Sequence, residues 1–575
     1  MQNTLVAQQL QSALAAHSAG DPATATTLCE QVLASEPEQP VALRLLASAA
    51  MQAGKATRAR TLIARAARSA PADLDVAMLQ CTILVMSQSW AEAADALART
   101  LSLAPARAEL WNDLGICLHR LQQPAAAIQS FLHALLLDPR LAVAHNNLGS
   151  VLKQEGDLDG AMEQFEAARA IDPLYAEACS NLATVHRDRG NYAAAVSLLR
   201  NAVALEPRFA AAHSNLGEVL SLIAEADAEE HLQSAVKLEP DNALYHWNLG
   251  VHLLRSGNYE AGWPHYQWRW KWDHYRQAGR TFTTPCWLGD FDIQGRTVLI
   301  HAEQGLGDTI QFLRYLPLVF AAGAQVILEI QPLLCSLVQR LSASMPGLVA
   351  VVKQGEAAPP ADCHTPLLSL PLACGTTGAS IPPPLPFPDA AGAETFPAKK
   401  YGVTLRVGLA WAGDPTHRRD HERSIPLALF APLSAVPGVE LVSLQVGAAT
   451  SQIAHCGFAL ETPTLATFCD TAAVLASLDL VISVDTAVAH LAATQNLATW
   501  ILLPRIVDWR WLAPPSPQPE IEGSPWYPSA RLFRQAELPV YGCTAAGWEP
   551  VIARVVAALQ QYSAPAMAEA PRTGE

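Results

Sequence analysis

Residues 478–493, LDLVISVDTAVAHLAA, decide how the second half of the chain is read. The apolar run at 480–484 stops at Asp485-Thr486, and small and apolar residues at helical spacing follow. That pattern predicts a buried parallel strand, a tight turn and the first turns of a helix. A helix N-terminus carries unpaired backbone N–H groups and a partial positive charge, which suit an anion. Thr486 supplies a hydroxyl there, and His490 follows four residues later on the same helical face. Asp485, Thr486 and His490 are therefore candidate binders of a nucleotide diphosphate. A simple Asp or Thr cap beside a partly buried histidine is the plainer alternative.

Upstream, LRVGLAWAG (405–413) predicts another strand, with Trp411 and Gly413 at its carboxyl end as candidate binding residues. The loop DPTHRRDHERSIPL follows, carrying Arg418, Arg419 and Arg423. Arginines beyond a strand's carboxyl end suit phosphate recognition, and Arg423 is preferred because it abuts the next helix. The alternative is a solvated charge run, since Asp414, Asp420 and Glu422 neutralise much of it. Strand-like 440–445 and helix-like 471–477 complete the pattern.

Further upstream, TVLIHA (297–302) leads into Glu303-Gln304-Gly305-Leu306-Gly307-Asp308-Thr309, a helical stretch and a strand at 325–330. Strand, glycine turn, helix, strand is a βαβ unit, whose ligands lie at the carboxyl ends of its strands. Gly305 and Gly307 let the backbone approach a ligand, and Asp308 begins the helix either as a functional carboxylate or as a cap. Glu329 stands at ribose-binding distance, yet Ile310 occupies the third glycine of a dinucleotide fingerprint. That weakens, without removing, an oxidoreductase reading. A proline-rich run, IPPPLPFP (381–388), reads as a stiff connector between the two α/β units.

The first half is periodic. Prolines stand at 37, 71, 105, 139, 173, 207 and 240, five intervals of 34 residues and a last one of 33. In step with them, one repeat shows Trp111, Leu114, Gly115, Leu118, Ala127, Phe131, Ala134 and Pro139. This resembles the tetratricopeptide repeat. Small residues let the two helices of a hairpin approach, and large ones fill the space between successive hairpins. Repeats before Pro105 fit more loosely, and residues 243–272 form an eighth, terminal one.

One position on the first helix of the hairpins carries Asp113, Asn147, Asn181, Asn215 and Asn248. Side-chain amides can pair with both N–H and C=O of an extended peptide, which makes the asparagines candidate peptide binders. The alternative is that they tie one hairpin to the next. Repeats over about 106–240 are similar to those of O-linked N-acetylglucosamine transferases, in which an asparagine ladder holds protein substrates. Residues 258–292 are dense in aromatics (Trp263, Tyr266, Trp268, Trp270, Trp272, Tyr275, Trp287), mixed with Arg269, Lys271 and Arg276. They are expected to bury the last helix of the solenoid against the next domain rather than to stack on nucleic acid or sugar.

With 575 residues, 50% of them hydrophobic and 16% charged, the chain has ample material for several cores. Its net charge of −15 argues against nonspecific nucleic-acid or anionic-membrane binding. Eleven cysteines lack metal-binding spacing and are expected as buried thiols. The first 20 residues have no basic segment followed by an apolar core, and no apolar run spans a bilayer. A cytoplasmic protein without a leader or transmembrane segment is the expectation.

In the second half, Gly305-Leu306-Gly307-Asp308 resembles the GLGD loop of the ADP-heptose heptosyltransferases, glycosyltransferase family nine, whose aspartate is the proposed general base. Asp485-Thr486-Ala487-Val488-Ala489-His490 resembles their D-T-G-x-x-H turn, which binds the pyrophosphate and sugar of the donor. Ala487 replaces the glycine, and Arg423 stands roughly where the family has a phosphate-binding lysine. Taken whole, the chain looks like the bacterial proteins that join tetratricopeptide repeats to such a domain. The resemblance implies an all-α solenoid (1–275), a linker (276–295), an acceptor-side Rossmann-like half (296–395), a nucleotide-sugar-side half (396–562) and a disordered tail (563–575). The last two halves would form a GT-B type domain. It also implies an inverting, metal-independent glycosyltransferase with a nucleotide-diphosphate sugar as co-substrate, no cofactor, and an acceptor hydroxyl that a protein in the repeat groove could carry. A non-catalytic scaffold with a degenerate transferase fold is the alternative.

Overall fold

The computed structural model describes residues 2–272, 282–303, 305–388, 397, 399–400, 402–417, 419–512, 523–536 and 547–568. Tyr275, Arg276, Gln304, Arg418 and the end of the tail (569–575) lie outside them. The chain divides into two compact units, Met1–Asp188 with Ala193–Arg208, and Phe209–Glu575 with Arg189–Tyr192.

The first unit is a run of helical hairpins with 13–14 residues in most helices, from Gln2–Ser18 with Pro22–Ser35 to Ala176–Asp188 with Tyr192–Leu205. The small-against-large rule is literal here. A Cβ at Gly115 would come within 2.6 Å of the Phe131 ring, and one at Gly149 within 2.8 Å of Phe165. Glycine on the first helix thus makes the slot that phenylalanine on the second fills. Both phenylalanines are buried, as are Ala127, Ala134, Ala161 and Ala168 on the same faces. Three second or first helices begin with proline at the first position, where its missing N–H costs nothing (Pro22, Pro40, Pro124). The loosely patterned repeats before Pro105 form the same hairpins, packed through Leu43, Leu46, Ile63 and Val76.

The second unit starts with two more hairpins, Ala210–Leu222 with Ala228–Leu238 and Ala243–Arg255 with Tyr259–Tyr266, and a 3-10 turn, Gln267–Lys271. Two parallel sheets follow. The first contains β1 (Thr297–His301), β2 (Gln325–Ile330), β3 (Leu348–Lys353) and β4 (Cys363–Pro366) in the order β3-β2-β1-β4. The second contains β5 (Leu405–Ala410), β6 (Val439–Ser443), β7 (Leu480–Val484), β8 (Thr499–Leu503) and β9 (Ala530–Arg534) in the order β6-β5-β7-β8-β9. Strand order reverses between β1 and β4 and between β5 and β7. Crevices at the carboxyl ends of such reversals are where open α/β sheets bind ligands. The loops after β1, β5 and β7 carry the α/β residues selected from the sequence, except Glu329, which lies on β2.

Segments read as linkers are partly structured. Cys286 bridges to His364 beside β4, and Trp287 and Ile293 are buried, so 285–293 belongs to the first sheet's layer. The proline-rich run is clamped at both ends. Arg314 donates to Pro382 O at 3.2 Å, and Gln495 exchanges hydrogen bonds with the backbone of Phe387. The final helix, Glu549–Ala568, continues past 563, where a disordered tail was expected to begin.

The hinge aromatics hold the terminal hairpin on both sheets' layers. Tyr259, Trp263 and Tyr266 are buried and meet Trp509 and Trp526 edge to face, and Trp263 Nε1 donates to Thr376 O at 3.1 Å. Beside them Arg269, with no exposed side-chain surface, forms a two-pronged ion pair with Glu303 at 2.6 and 2.8 Å and donates to Ser369 Oγ at 2.9 Å. Removing one partner of such a pair leaves a buried charge, at a cost of about 3–5 kcal/mol. Arg269→Met is therefore expected to shift the urea transition of tryptophan fluorescence to lower denaturant by that order. Adding Glu303→Leu should restore most of it; an unshifted single variant would show the pair to be energetically neutral.

Candidate functional site

Two short loops build the site. After β1 the chain turns at Gly305, whose extended conformation (φ −81°, ψ 133°) precedes the helix Leu306–Phe312. Asp308 folds back over this turn, and a Cβ at Gly305 would stand 2.7 Å from its Oδ2. The carboxylate keeps 27% of its surface exposed and pairs with Arg510 Nη2 at 2.6 Å. Burial, aided by Asp508 and Glu303, raises its pKa above the ordinary value against the pull of Arg510 and His490.

After β7, Thr486 takes the N-cap position of the helix Ala487–Thr494 with no capping bond from its side chain. Its hydroxyl instead shares a 3.0 Å hydrogen bond with Ser483. Ala487 is the first helical residue, a conformation open to any side chain. The Asp485 carboxylate lies 3.7 Å from His490 Nε2, and His490 Nδ1 shares a 2.9 Å hydrogen bond with the Tyr527 hydroxyl. Burial opposes ionisation of Asp485, but His490, the Trp511 side chain and Arg423 together hold its pKa below the usual value. Burial pushes the Tyr527 hydroxyl up to about 12.

The loops meet at Gly307. A Cβ there would be 2.6 Å from Cδ2 of the His490 ring, so the helix after β1 and the helix after β7 touch at their first turns. Arg510 completes the junction. It comes from the turn Trp509–Trp511 beyond β8, pairs with Asp508 at 2.7 Å as well as with Asp308, and lies against the Trp509 ring at 4.3 Å. Burial opposes its charge, but the two carboxylates raise its pKa well above the ordinary value.

Arg423 and Gly413 belong to the same edge of the second sheet. A Cβ at Gly413 would lie 2.6 Å from Arg423 Nη2, and Asp420 receives Arg423 Nε at 3.0 Å. Arg419 is paired with Glu422 at 2.9 Å, as the neutralised-run alternative held. Trp411 departs from the expectation. Its ring is fully buried in the core of the second sheet, because the strand's in-out alternation turns it under the sheet, and only its backbone faces the loop, donating to Gln445 at 3.0 Å. Glu329, 2% exposed, is likewise inside the first sheet.

Among the repeats, Asn147 donates to Asn112 and Asn181 to Asn146, each at 2.9 Å, and Asn248 donates to Ser214 at 3.0 Å. Each bond spans one repeat, so these amides do tie hairpin to hairpin. The tie uses one N–H; among the described residues, the side-chain amide oxygens of these three accept no intramolecular hydrogen bond. Asn215 occupies the same position, half-buried.

Arg510, Asp508 and Tyr527 are the residues that motif reasoning passed over. In the sequence, DWRW (508–511) and SPWYP (524–528) stand out only for their tryptophans, whose faces suit sugars or nucleotide bases as well as a core. The structure places Trp509, Trp511 and Trp526 in the core and the charges between them in the site.

The class of protein is clear for the first half: residues up to about 270 are tetratricopeptide repeats, and such repeats imply a protein-interaction role. One tetratricopeptide-repeat family model matches residues 16–80 and 152–216, and a second matches 83–142 and 226–266. Protein FlbA of Caulobacter vibrioides is 28% identical over 340 residues, a match covering 54% of this chain and 54% of FlbA, so the chain spans about half the length of that relative. Solved repeat structures align over smaller shares. The TPR protein YrrB is 23% identical over 32% of this chain and 95% of its own, with a TM-score of 0.28. A tetratricopeptide repeat protein from Parabacteroides merdae is 15% identical over 44% of this chain and 99% of its own, with a TM-score of 0.38. No helix among the described residues is long and apolar enough to cross a membrane.

Gly307→Ala tests the junction. The added methyl would overlap the His490 ring, and overpacking of this kind costs about 1–3 kcal/mol. The expected result is a lowered melting temperature, partly recovered by His490→Ala in the same chain. A Gly307→Ala protein that melts with the wild type would place the two loops farther apart.

Proposed function

We propose that residues beyond the repeats form a GT-B type glycosyltransferase domain that moves a sugar from a nucleotide-diphosphate sugar to an acceptor hydroxyl, with the repeats presenting a protein partner. The observation that carries this reading is the contact of Gly307 with His490. It joins the two loops that resemble those of the heptosyltransferases, each at a strand-order reversal.

In this reading the diphosphate of the donor lies on the uncapped N-terminus of Ala487–Thr494, near Thr486 and His490, with Arg423 offsetting the charge of the leaving group. The acceptor oxygen attacks the anomeric carbon as the bond to the diphosphate oxygen breaks, and Asp308 takes the hydroxyl proton, which inverts the anomeric centre. No metal enters the scheme. In the repeats, the amide carbonyl and remaining N–H of Asn147, Asn181 and Asn248 supply a donor and an acceptor for an extended peptide. The non-catalytic scaffold is the second reading, favoured by the engagement of Asp308 with Arg510.

The test is nucleoside diphosphate release from a panel of ADP-, GDP- and UDP-sugars, with bacterial cell extract as the acceptor source. One donor series should be consumed. Asp308→Asn should lower the rate at least about 100-fold, the usual contribution of a general base. Because the Asp308 pKa is raised and the ionised form is the base, the rate should climb with pH through a midpoint above the ordinary carboxylate range. Turnover that survives Asp308→Asn would remove it as the base; no consumption of any donor would favour the scaffold.

A further inference from the structure

Arg510 is 7% exposed and carries three structural relations at once. Nη2 meets Asp308 at 2.6 Å, Nη1 meets Asp508 at 2.7 Å, and its Nε is buried with no hydrogen-bond partner. An unsatisfied N–H on a buried guanidinium is costly and leaves Arg510 with a donor free for a further acceptor. The turn that carries Arg510 follows β8, the neighbour of β7, so the guanidinium lies at the carboxyl edge of the second sheet beside the Asp485 turn. Trp511, next in sequence, lies against His490 with ring centroids 5.3 Å apart.

In this arrangement the proposed base is occupied. A carboxylate held at 2.6 Å by a guanidinium has a lone pair already engaged, and an acceptor hydroxyl must compete for it. A diphosphate changes that balance. It offers more negative charge than one carboxylate and several oxygens in the fork geometry that a guanidinium fits. The Arg510 position cannot drift freely, because Asp508 fixes both its backbone N–H, at 3.0 Å, and its side chain. The terminal hairpin packs on the same turn through the helix Ala243–Arg255. What remains is a short swing of the guanidinium tip.

Building on the proposed transferase site, we propose that Arg510 exchanges Asp308 for the donor diphosphate, so that the base is released for the acceptor only when donor is bound. Arg510 is then a positioning residue for the base as well as a ligand of the leaving group. This assigns a function to the resting ion pair, which a scaffold would keep for stability alone.

The test is a double-mutant cycle read by binding rather than turnover. Full-length wild type, Asp308→Asn, Arg510→Gln and the double variant are each titrated calorimetrically with ADP, GDP and UDP. Asp308→Asn removes the competitor and should bind one nucleoside diphosphate at least about threefold more tightly than wild type. Arg510→Gln should bind it at least about tenfold more weakly, and in that background Asp308→Asn should give no gain. If Asp308→Asn tightens binding equally with and without Arg510, simple charge repulsion accounts for the effect and the exchange is overturned. Equal or weaker binding by Asp308→Asn in an otherwise normal chain overturns it too, while leaving the nucleotide site intact. No binding of any nucleoside diphosphate by any variant overturns both the exchange and the transferase reading. Should Arg510→Gln fail to fold, Arg510→Lys takes its place in the cycle, keeping the charge but losing the fork, and the Asp308→Asn gain is then expected to shrink.

Discussion

There is no room for a side chain at residue 307, and the site depends on that vacancy. The His490 ring occupies the space a Cβ would need. Two helices that begin in different sheets can therefore touch at their first turns, where backbone N–H groups are unpaired. From this contact follow the proximity of Asp308 to His490, the reach of Arg510 across to Asp308, and the burial that raises the pKa of one carboxylate while its neighbours lower that of the other. Two aspartates on equivalent turns thus acquire opposite character from their surroundings.

A second constraint fixes this junction to the end of the repeats. Arg269 and Glu303 form an ion pair with almost no exposed surface, and Glu303 lies two residues before Gly305. The turn after β1 is consequently held by the last 3-10 turn of the repeat region as well as by its own strand. Tyr259, Trp263 and Tyr266 extend the same attachment to Trp509 and Trp526, on either side of the segment that bears Arg510. The last hairpin is in this sense part of the α/β body, which matches the division of the chain near residue 209 rather than near 275. Deleting the chain through Lys271 would uncover Trp509 and Trp526 and leave the Glu303 carboxylate buried without its partner.

Much of this was legible in the sequence because the underlying signals are local. A 34-residue period survives any detail of packing, and Gly115 with Phe131 states the packing itself. β1, β2, β5 and β7 are predominantly apolar and end at turn residues, as buried parallel strands do. β3, β4, β8 and β9 lack so clean a boundary, and their local pattern does not single them out as strands. Trp411 misled because a large aromatic beside a glycine turn looks the same whether it faces ligand or core; only the register of β5 decides. Arg510 escaped because nothing in Asp508-Trp509-Arg510-Trp511 announces a partner some 200 positions earlier. Long-range ion pairs leave no mark on local spacing. The asparagines carry two uses in one side chain, a tie between repeats and a spare carbonyl, and the sequence alone could not apportion them.

The account turns on whether the junction of Gly307 and His490 receives a nucleotide diphosphate. The direct measurement is the melting temperature of the wild-type protein and of His490→Ala against nucleotides and nucleotide sugars. A ligand that binds only the folded state raises the melting temperature with its saturation. The account predicts a rise with one nucleoside diphosphate series in the wild type and its loss in His490→Ala. A wild type unmoved by every nucleotide, or a His490→Ala protein that responds as the wild type does, would contradict it.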